Sequence, residues 1–119
     1  MSENIVLDKS FNFALRVVKL HKYLCDERKE FTMSRETLRC GTSIGEHVAC
    51  AQEAASKPGF AQEINIALQY AVRTGFWLRL LREADYLDEK HFHSISHDCA
   101  ELQKLLRAIG KSADPRSRT

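Results

Sequence analysis

The 119-residue sequence has little glycine or proline and no long apolar run. Its longest apolar stretches are a few residues, far short of the roughly 20 that a membrane-spanning helix needs. The five glycines and two prolines leave room for long helices, because both residue types break them. The N-terminus lacks a basic segment followed by an apolar one, so no signal peptide is expected. We therefore expect a cytoplasmic protein with no membrane partner, of a length that fits one domain.

The sequence also lacks a strong charge bias and a metal-binding cysteine pattern. Its formal net charge of +2 permits binding to nucleic acid but does not demand it. The four cysteines form no C-x-x-C pair and match no zinc-site spacing. We expect them to be reduced thiols that pack as small apolar residues, and we expect no cofactor.

Apolar residues recur at three- and four-residue steps in four segments, which is the period of one helix face. The pattern predicts helices at about 9–28, 34–55, 58–84 and 88–109. Asp8 or Ser10, Ser34 and Asp88 are the expected N-caps, and Gly110 is the expected stop of the last helix. Residues 1–110 would then form the domain and 111–119 a disordered tail. Because the connections are short, the expected fold is all-α, an antiparallel up-and-down four-helix bundle.

The first two helices carry distinctive inner faces. In the first, the stripe expected to face the core is Phe11, Ala14, Leu15, Val18, Tyr23 and Leu24. Phe13, Val17 and Leu20 widen that face, so we expect this helix to be covered on two sides. In the second, Gly41 and Gly45 lie four apart on one face and would let another helix approach closely. Each glycine costs roughly 1 kcal/mol against alanine inside a helix, so this pair indicates a packing role.

Three aromatic residues of the third helix lie partly outside its apolar stripe. They are Tyr70, Phe76 and Trp77. Left on the surface of a monomer they would form an apolar patch, and aromatic residues are favoured anchors of interfaces. We interpret them as a homo-oligomer interface.

Basic residues recur at helical spacing on the first three helices, as Arg16, Lys19, Lys22, Arg35, Arg39, Arg73, Arg79 and Arg82. One interpretation is phosphate contact with nucleic acid, which repetition in an oligomer would strengthen. The other is an ordinary solvated surface, balanced by the glutamates of the chain.

Two arrangements carry a weaker suggestion of chemistry. His93 and His97 are four apart and could both face a metal ion, but a third ligand is not evident. His47 and Cys50 are three apart and could form a thiol–imidazole pair, but no orienting acid or oxyanion donor is evident. We therefore expect neither a metal site nor a catalytic one, and predict that the protein is not an enzyme.

Several stretches resemble one bacterial family. They include Phe11–Leu24, the run Leu38-Arg-Cys-Gly-Thr-Ser-Ile-Gly45 and the run Trp77-Leu-Arg-Leu-Leu81. The sequence is similar to the four-helix-bundle proteins encoded by intervening sequences in 23S rRNA genes, relatives of the accessory variability determinants of diversity-generating retroelements. The resemblance implies a homopentameric ring with no known catalysis and no cofactor. It also implies a possible role with nucleic acid, which the retroelement relatives bind through basic surfaces.

The sequence departs from the family pattern at five positions. Where relatives carry Ala-Asn after the glycine-rich run and a Glu three residues beyond that Asn, this chain has Glu46, His47 and Cys50. Where relatives tend to carry two Glu on the third helix, it has Tyr70 and Arg73. A function that depends on those polar residues would be altered here.

The predicted function is a non-enzymatic homo-oligomer that binds RNA or an RNA-handling protein. The alternative is a protein-interaction adaptor with no nucleic-acid role, which the near-neutral charge favours. An enzyme built on the histidines and Cys50 is the third hypothesis.

Overall fold

The computed structural model describes residues 5–113, which form four α-helices and no strand. The helices are α1 (Ile5–Asp26), α2 (Thr32–Gln52), α3 (Lys57–Glu83) and α4 (Glu89–Ala113). The predicted all-α class and the number of helices are confirmed. No helix within this part of the chain is both long and apolar enough to cross a bilayer.

The four helices pack in a closed cycle around one apolar core. Each helix packs against the next along the chain, and α1 also meets α4, more loosely than the other neighbouring pairs. No packing joins α1 to α3 or α2 to α4 in residues 5–113, so these pairs lie on the diagonals. The largest fully buried core residues come from all four helices, and they include Leu24, Ile44, Ile64, Leu78, Leu81, Leu102 and Leu106.

The inner face of α1 is only partly the predicted one. Val6, Phe13, Val17 and Leu24 are buried, together with Ser10. Other apolar residues expected to face the core are instead on the surface: Phe11, Leu15 and Val18 are 66%, 46% and 37% exposed. Helix α1 has two apolar faces, and the one that packs inward uses the smaller residues at its crossing with α2.

The predicted N-cap of α1 is also wrong. The helix is already formed at Ile5, and Ser10 is fully buried within it. The Ser10 hydroxyl donates to the carbonyl of Leu7 at 3.1 Å, which satisfies the polar group inside the helix instead of capping it.

The predicted close approach through the two glycines is confirmed. A Cβ at Gly41 would lie 2.8 Å from both γ-methyls of Val17, and one at Gly45 would lie 3.3 Å from the carbonyl oxygen of Ser10. Only glycine lets α1 and α2 pack at this distance.

Helix α2 begins without the predicted Ser34 cap. The helix starts at Thr32, and Ser34 is fully buried in its first turn, where its hydroxyl donates to the carbonyl of Glu30. The Glu30 carboxylate accepts from the backbone N–H groups of Thr32, Met33 and Ser34 at 3.3, 3.1 and 2.8 Å. A side chain before the helix thus satisfies the donors that an N-cap would serve.

The other two helices follow the prediction more closely. Ser56 accepts from Gly59 N–H and caps α3, and Asp88 accepts from His91 N–H at the start of α4. The predicted stop at Gly110 is wrong, because α4 continues through it to Ala113. The predicted tail therefore loses its first three residues, and residues 114–119 lie outside the described part.

Candidate self-association and nucleic-acid-binding surfaces

Two apolar stripes remain on the surface of the bundle. The α1 stripe is Phe11, Leu15 and Val18. The α3 stripe is Val72, Phe76 and Leu80, which are 48%, 60% and 38% exposed. Within each stripe the residues are three or four apart, so they share one edge of their helix. Contiguous exposed apolar rows of this kind mark interaction surfaces.

The α1 stripe lies on the side of α1 that is next to α2. On the other side of α1, Arg16 binds Asp98 of α4. Phe11 and Val18 are five residues before and two after Arg16, which at 100° per residue places them on the opposite edge of the helix.

The α3 stripe lies on the outer surface of α3, opposite the buried face and away from the contacts with α2. Tyr70 of α3 stacks on His47 of α2, with ring centroids 5.6 Å apart. Val72 and Phe76 are two and six residues further on, which places them on another edge of α3. Since α1 and α3 lie on a diagonal, the two stripes face away from each other.

The structure separates the three aromatic residues predicted as one interface. Phe76 is 60% exposed, whereas Tyr70 and Trp77 are mostly buried. Phe76 touches the Trp77 ring edge-on at 5.2 Å, but Tyr70 belongs to the α2–α3 surface. The sequence interpretation expected α1 to be covered on two sides but assigned Phe11, Leu15 and Val18 to the core face, so it did not name them as interface residues.

A polar cluster joins α2 and α3. His47 Nδ1 lies 2.7 Å from Glu63 Oε1, and the His47 ring is nearly parallel to that of Tyr70, at 11°. The Arg73 guanidinium lies 5.1 Å from the centroid of the Tyr70 ring. Three of the positions where the chain departs from the family pattern, His47, Tyr70 and Arg73, thus meet in one place.

The same contacts bear on the possible thiol–imidazole pair. His47 is held by Glu63, whereas Cys50 is exposed. No hydrogen bond joins His47 to Cys50 among the described residues. A thiol–imidazole contact occurs elsewhere: Cys25 Sγ lies 3.6 Å from His21 Nε2.

Three of the predicted nucleic-acid-binding residues are paired with acids of their own chain. Arg16 binds Asp98 at 2.6 Å, Arg39 binds Glu36 at 2.9 Å, and Arg82 lies 3.6 Å from Glu89, as three separate pairs. The hydrogen bond to Glu36 raises the pKa of Arg39 above its ordinary value. These guanidinium groups are partly neutralised, which weakens them as phosphate ligands.

Four other predicted cations have no ion pair or hydrogen bond within residues 5–113: Lys19, Lys22, Arg35 and Arg79. They lie on different helices, but all are in the half of the bundle that carries the α1–α2 and α3–α4 connections. These connections are adjacent, since Arg28 donates to the carbonyl of Asp85 and its guanidinium lies over the Tyr86 ring. The unpaired cations are therefore gathered toward one end without forming a single patch.

The histidines of α4 each face a carboxylate. His93 lies 3.7 Å from Glu89, and His97 lies 3.5 Å from Glu101. No group of three metal-ligating side chains occurs in the described range. His91 donates its backbone N–H to Asp88, which lowers the pKa of that carboxyl group.

Two thiols are buried as expected of apolar residues. The Cys99 thiol donates to the carbonyl of Ala71, and burial raises its pKa to about 11. Burial also raises the pKa of Cys40. Cys50, by contrast, is exposed and does not contribute to the core.

With four α-helices packed around one core, residues 5–113 place the chain in the class of small all-α, four-helix proteins. The family can be stated more closely. The chain belongs to the 23S rRNA-intervening sequence protein family, whose model matches residues 2–108. The resemblance inferred from the sequence is confirmed.

A solved structure is also closely similar. It is the crystal structure of a protein of unknown function from the S23 ribosomal protein family of Bacteroides thetaiotaomicron VPI-5482, with a TM-score of 0.91 and 45% sequence identity. The match covers 93% of this chain and 99% of that one. A comparison with curated proteins finds no match.

Proposed function

We propose that this protein is a non-enzymatic, cytoplasmic scaffold, an antiparallel up-and-down bundle that assembles into a homopentameric ring and binds RNA or an RNA-handling protein. The observation that carries the proposal is the pair of uncovered stripes on α1 and α3. Each presents three large apolar side chains that are more than a third exposed in the single chain.

The placement of the stripes supports a ring rather than a twofold dimer. A twofold dimer buries the same patch of both subunits, whereas a ring joins two different patches head to tail. Two stripes that face away from each other fit the second case. We assign the α1 stripe of one subunit to the α3 stripe of the next, and a fixed rotation between neighbours closes the ring.

The up-and-down arrangement is supported by the order of contacts between helices. Ser10 meets Gly45, Val17 meets Gly41, and Cys25 lies 3.6 Å from Ser34. Later residues of α1 thus meet earlier residues of α2, as antiparallel neighbours do.

Binding to RNA is supported by the unpaired cations Lys19, Lys22, Arg35 and Arg79. A ring repeats them five times, and linked weak contacts add up to useful affinity. Because these cations lie toward one end of the bundle, a ring would place all copies of them on one rim.

A protein-interaction adaptor is the second candidate function. It is favoured by the internal pairing of Arg16, Arg39 and Arg82, which leaves fewer cations for phosphate than the sequence suggested.

Filter binding with structured RNA at low and high salt distinguishes the two candidates. For the RNA-binding scaffold we expect measurable binding at low salt that falls steeply as salt rises. A variant with Lys22 and Arg35 changed to Gln should bind less tightly and lose about 1.4 units or more of its log–log salt slope, or roughly 0.7 for each lost contact. Absent or salt-independent binding, together with one stoichiometric protein partner on co-purification, would favour the adaptor.

A further inference from the structure

The loosely packed seam between α1 and α4 contains a cleft of about 420 Å³. This size lies within the range of small-molecule sites. The cleft is lined by residues of both helices and of the connection before α4, namely Arg16, Lys19, Leu20, Tyr23, Leu87, Asp88, His91 and Ile95.

The inner part of the cleft is apolar. Leu87 and Ile95 are buried at 5% and 4% exposure and form its floor, with Leu20 half-buried beside them. Tyr23 is 43% exposed and stands at the rim. An apolar or aromatic ligand body could cover these side chains, and each square ångström of apolar surface removed from water contributes about 25 cal/mol.

The rim of the cleft carries an available positive charge. Asp88, its one carboxylate, is held by both the backbone N–H and the ring of His91, at 2.8 Å and 2.8–2.9 Å. Arg16 is held by Asp98 and Ser94. Lys19 has no such partner in the described part of the chain, so its ammonium group is free to meet an anion.

From this combination we propose that the α1–α4 cleft binds a small amphipathic anion, with one negatively charged head at Lys19 and an apolar body over Leu20, Leu87 and Ile95. The apolar floor of the cleft is separate from both apolar stripes, because it lies on the α4 side of α1 while Phe11 and Val18 lie on the opposite edge. Leu15, one turn before Lys19, borders the rim. The cleft is formed within one subunit, so the inference does not depend on the proposed ring or on RNA binding.

The probe for the test is 1-anilinonaphthalene-8-sulfonate, an aromatic body with one sulfonate, titrated by fluorescence. Lys19→Glu should weaken its binding by at least about tenfold, because the change reverses the charge that meets the sulfonate. Lys22→Glu is the matched control: it is an exposed lysine of the same helix, in line with the α1 stripe, and it should leave the affinity unchanged. Weakening by Lys22→Glu but not by Lys19→Glu would place the probe on the α1 stripe and overturn the proposal.

Competition identifies the kind of anion. Decanoate or adenosine monophosphate should displace the probe. The stronger competitor shows whether the cleft prefers an aliphatic carboxylate or a nucleotide. Inorganic phosphate at the same concentration should not displace it, since it has no apolar body. Displacement by phosphate alone, or by none of the three, would contradict the proposed chemistry.

Discussion

Replacing Gly41 by alanine should destabilise the protein, although alanine is the better helix former. The substitution gains about 1 kcal/mol of helix propensity. Against this, the new methyl would lie 2.8 Å from both γ-methyls of Val17, a fully buried and β-branched residue that cannot easily rotate away. Overpacking of a core costs about 1–3 kcal/mol, and this contact belongs at the upper end of that range. The net loss should be about 1–2 kcal/mol, or a fall in Tm of about 4–8 °C.

Thermal and urea unfolding at one fixed protomer concentration measure the effect, since self-association makes Tm depend on concentration. Gly110→Ala is the matched control. Its Cβ would meet Ile64 at an ordinary 3.8 Å, so stability should rise by up to about 1 kcal/mol. Val17→Ala removes the γ-methyls that the new Cβ would meet, so in that background Gly41→Ala should no longer destabilise the protein. A double-mutant cycle measures this difference. A Gly41→Ala protein as stable as Gly110→Ala would refute the close packing of α1 on α2.

Four further outcomes follow from the contacts described above. Glu30→Ala should destabilise the protein by about 1–2 kcal/mol in urea unfolding, because three N–H groups at the start of α2 lose their acceptor. Glu27→Ala is the control, and an equal loss of stability in both variants would argue against Glu30 as the cap of α2. At pH 8 an alkylating reagent should modify exposed Cys50 at least about a hundredfold faster than Cys99, whose pKa of about 11 leaves almost no thiolate. The thiol of Cys99 should also make the stability of the protein depend on pH, because an unfolded thiol ionises near 9.0. Its contribution to the free energy of unfolding should be complete below pH 9 and decline as pH rises toward 11. A double-mutant cycle on Arg16 and Asp98 should give a coupling free energy of only about 0.5–1 kcal/mol, because both side chains are more than a third exposed. A coupling above about 2 kcal/mol would contradict a solvent-screened ion pair.

The sequence predicted the inner faces of α3 and α4 well because in each helix one apolar stripe is longer than any other. The longest apolar stripe of α3 repeats at helical spacing and is buried, as Ile64, Ala67, Ala71 and Leu78. The exposed α3 stripe is shorter, so the sequence pattern alone identifies the core face. Asp88 also fulfils its predicted cap. In these helices local pattern and tertiary packing agree.

The sequence failed at α1, where two faces are apolar. Periodicity shows that Phe11, Leu15 and Val18 share an edge but cannot say whether it faces the core or another subunit. The deciding feature is Ser10, a buried polar residue at the crossing with Gly45, and a serine looks like a surface or cap residue in sequence. Which surface residues pair is also a tertiary property, so the pairing of Arg16 with Asp98, 82 positions away, was invisible.

The pairing of the α1 stripe with the α3 stripe is tested most directly by measuring molar mass by light scattering for two single variants and their mixture. The wild-type protein should have a mass of about 68 kDa, five times the 13.6 kDa of one chain. Burying Phe76, which is 60% exposed, should contribute about 3 kcal/mol, so Phe76→Glu and Phe11→Glu should each reduce the assembly to monomers. Phe31→Glu, in the α1–α2 connection, should leave the mass unchanged.

Each variant retains one intact stripe, and the two intact stripes are different. An equimolar mixture of Phe11→Glu and Phe76→Glu should therefore form a heterodimer of about 27 kDa, twice the mass of one chain, and grow no further. A wild-type protein that stays monomeric at high concentration, or a mixture that stays monomeric while the wild type assembles, would contradict the head-to-tail pairing.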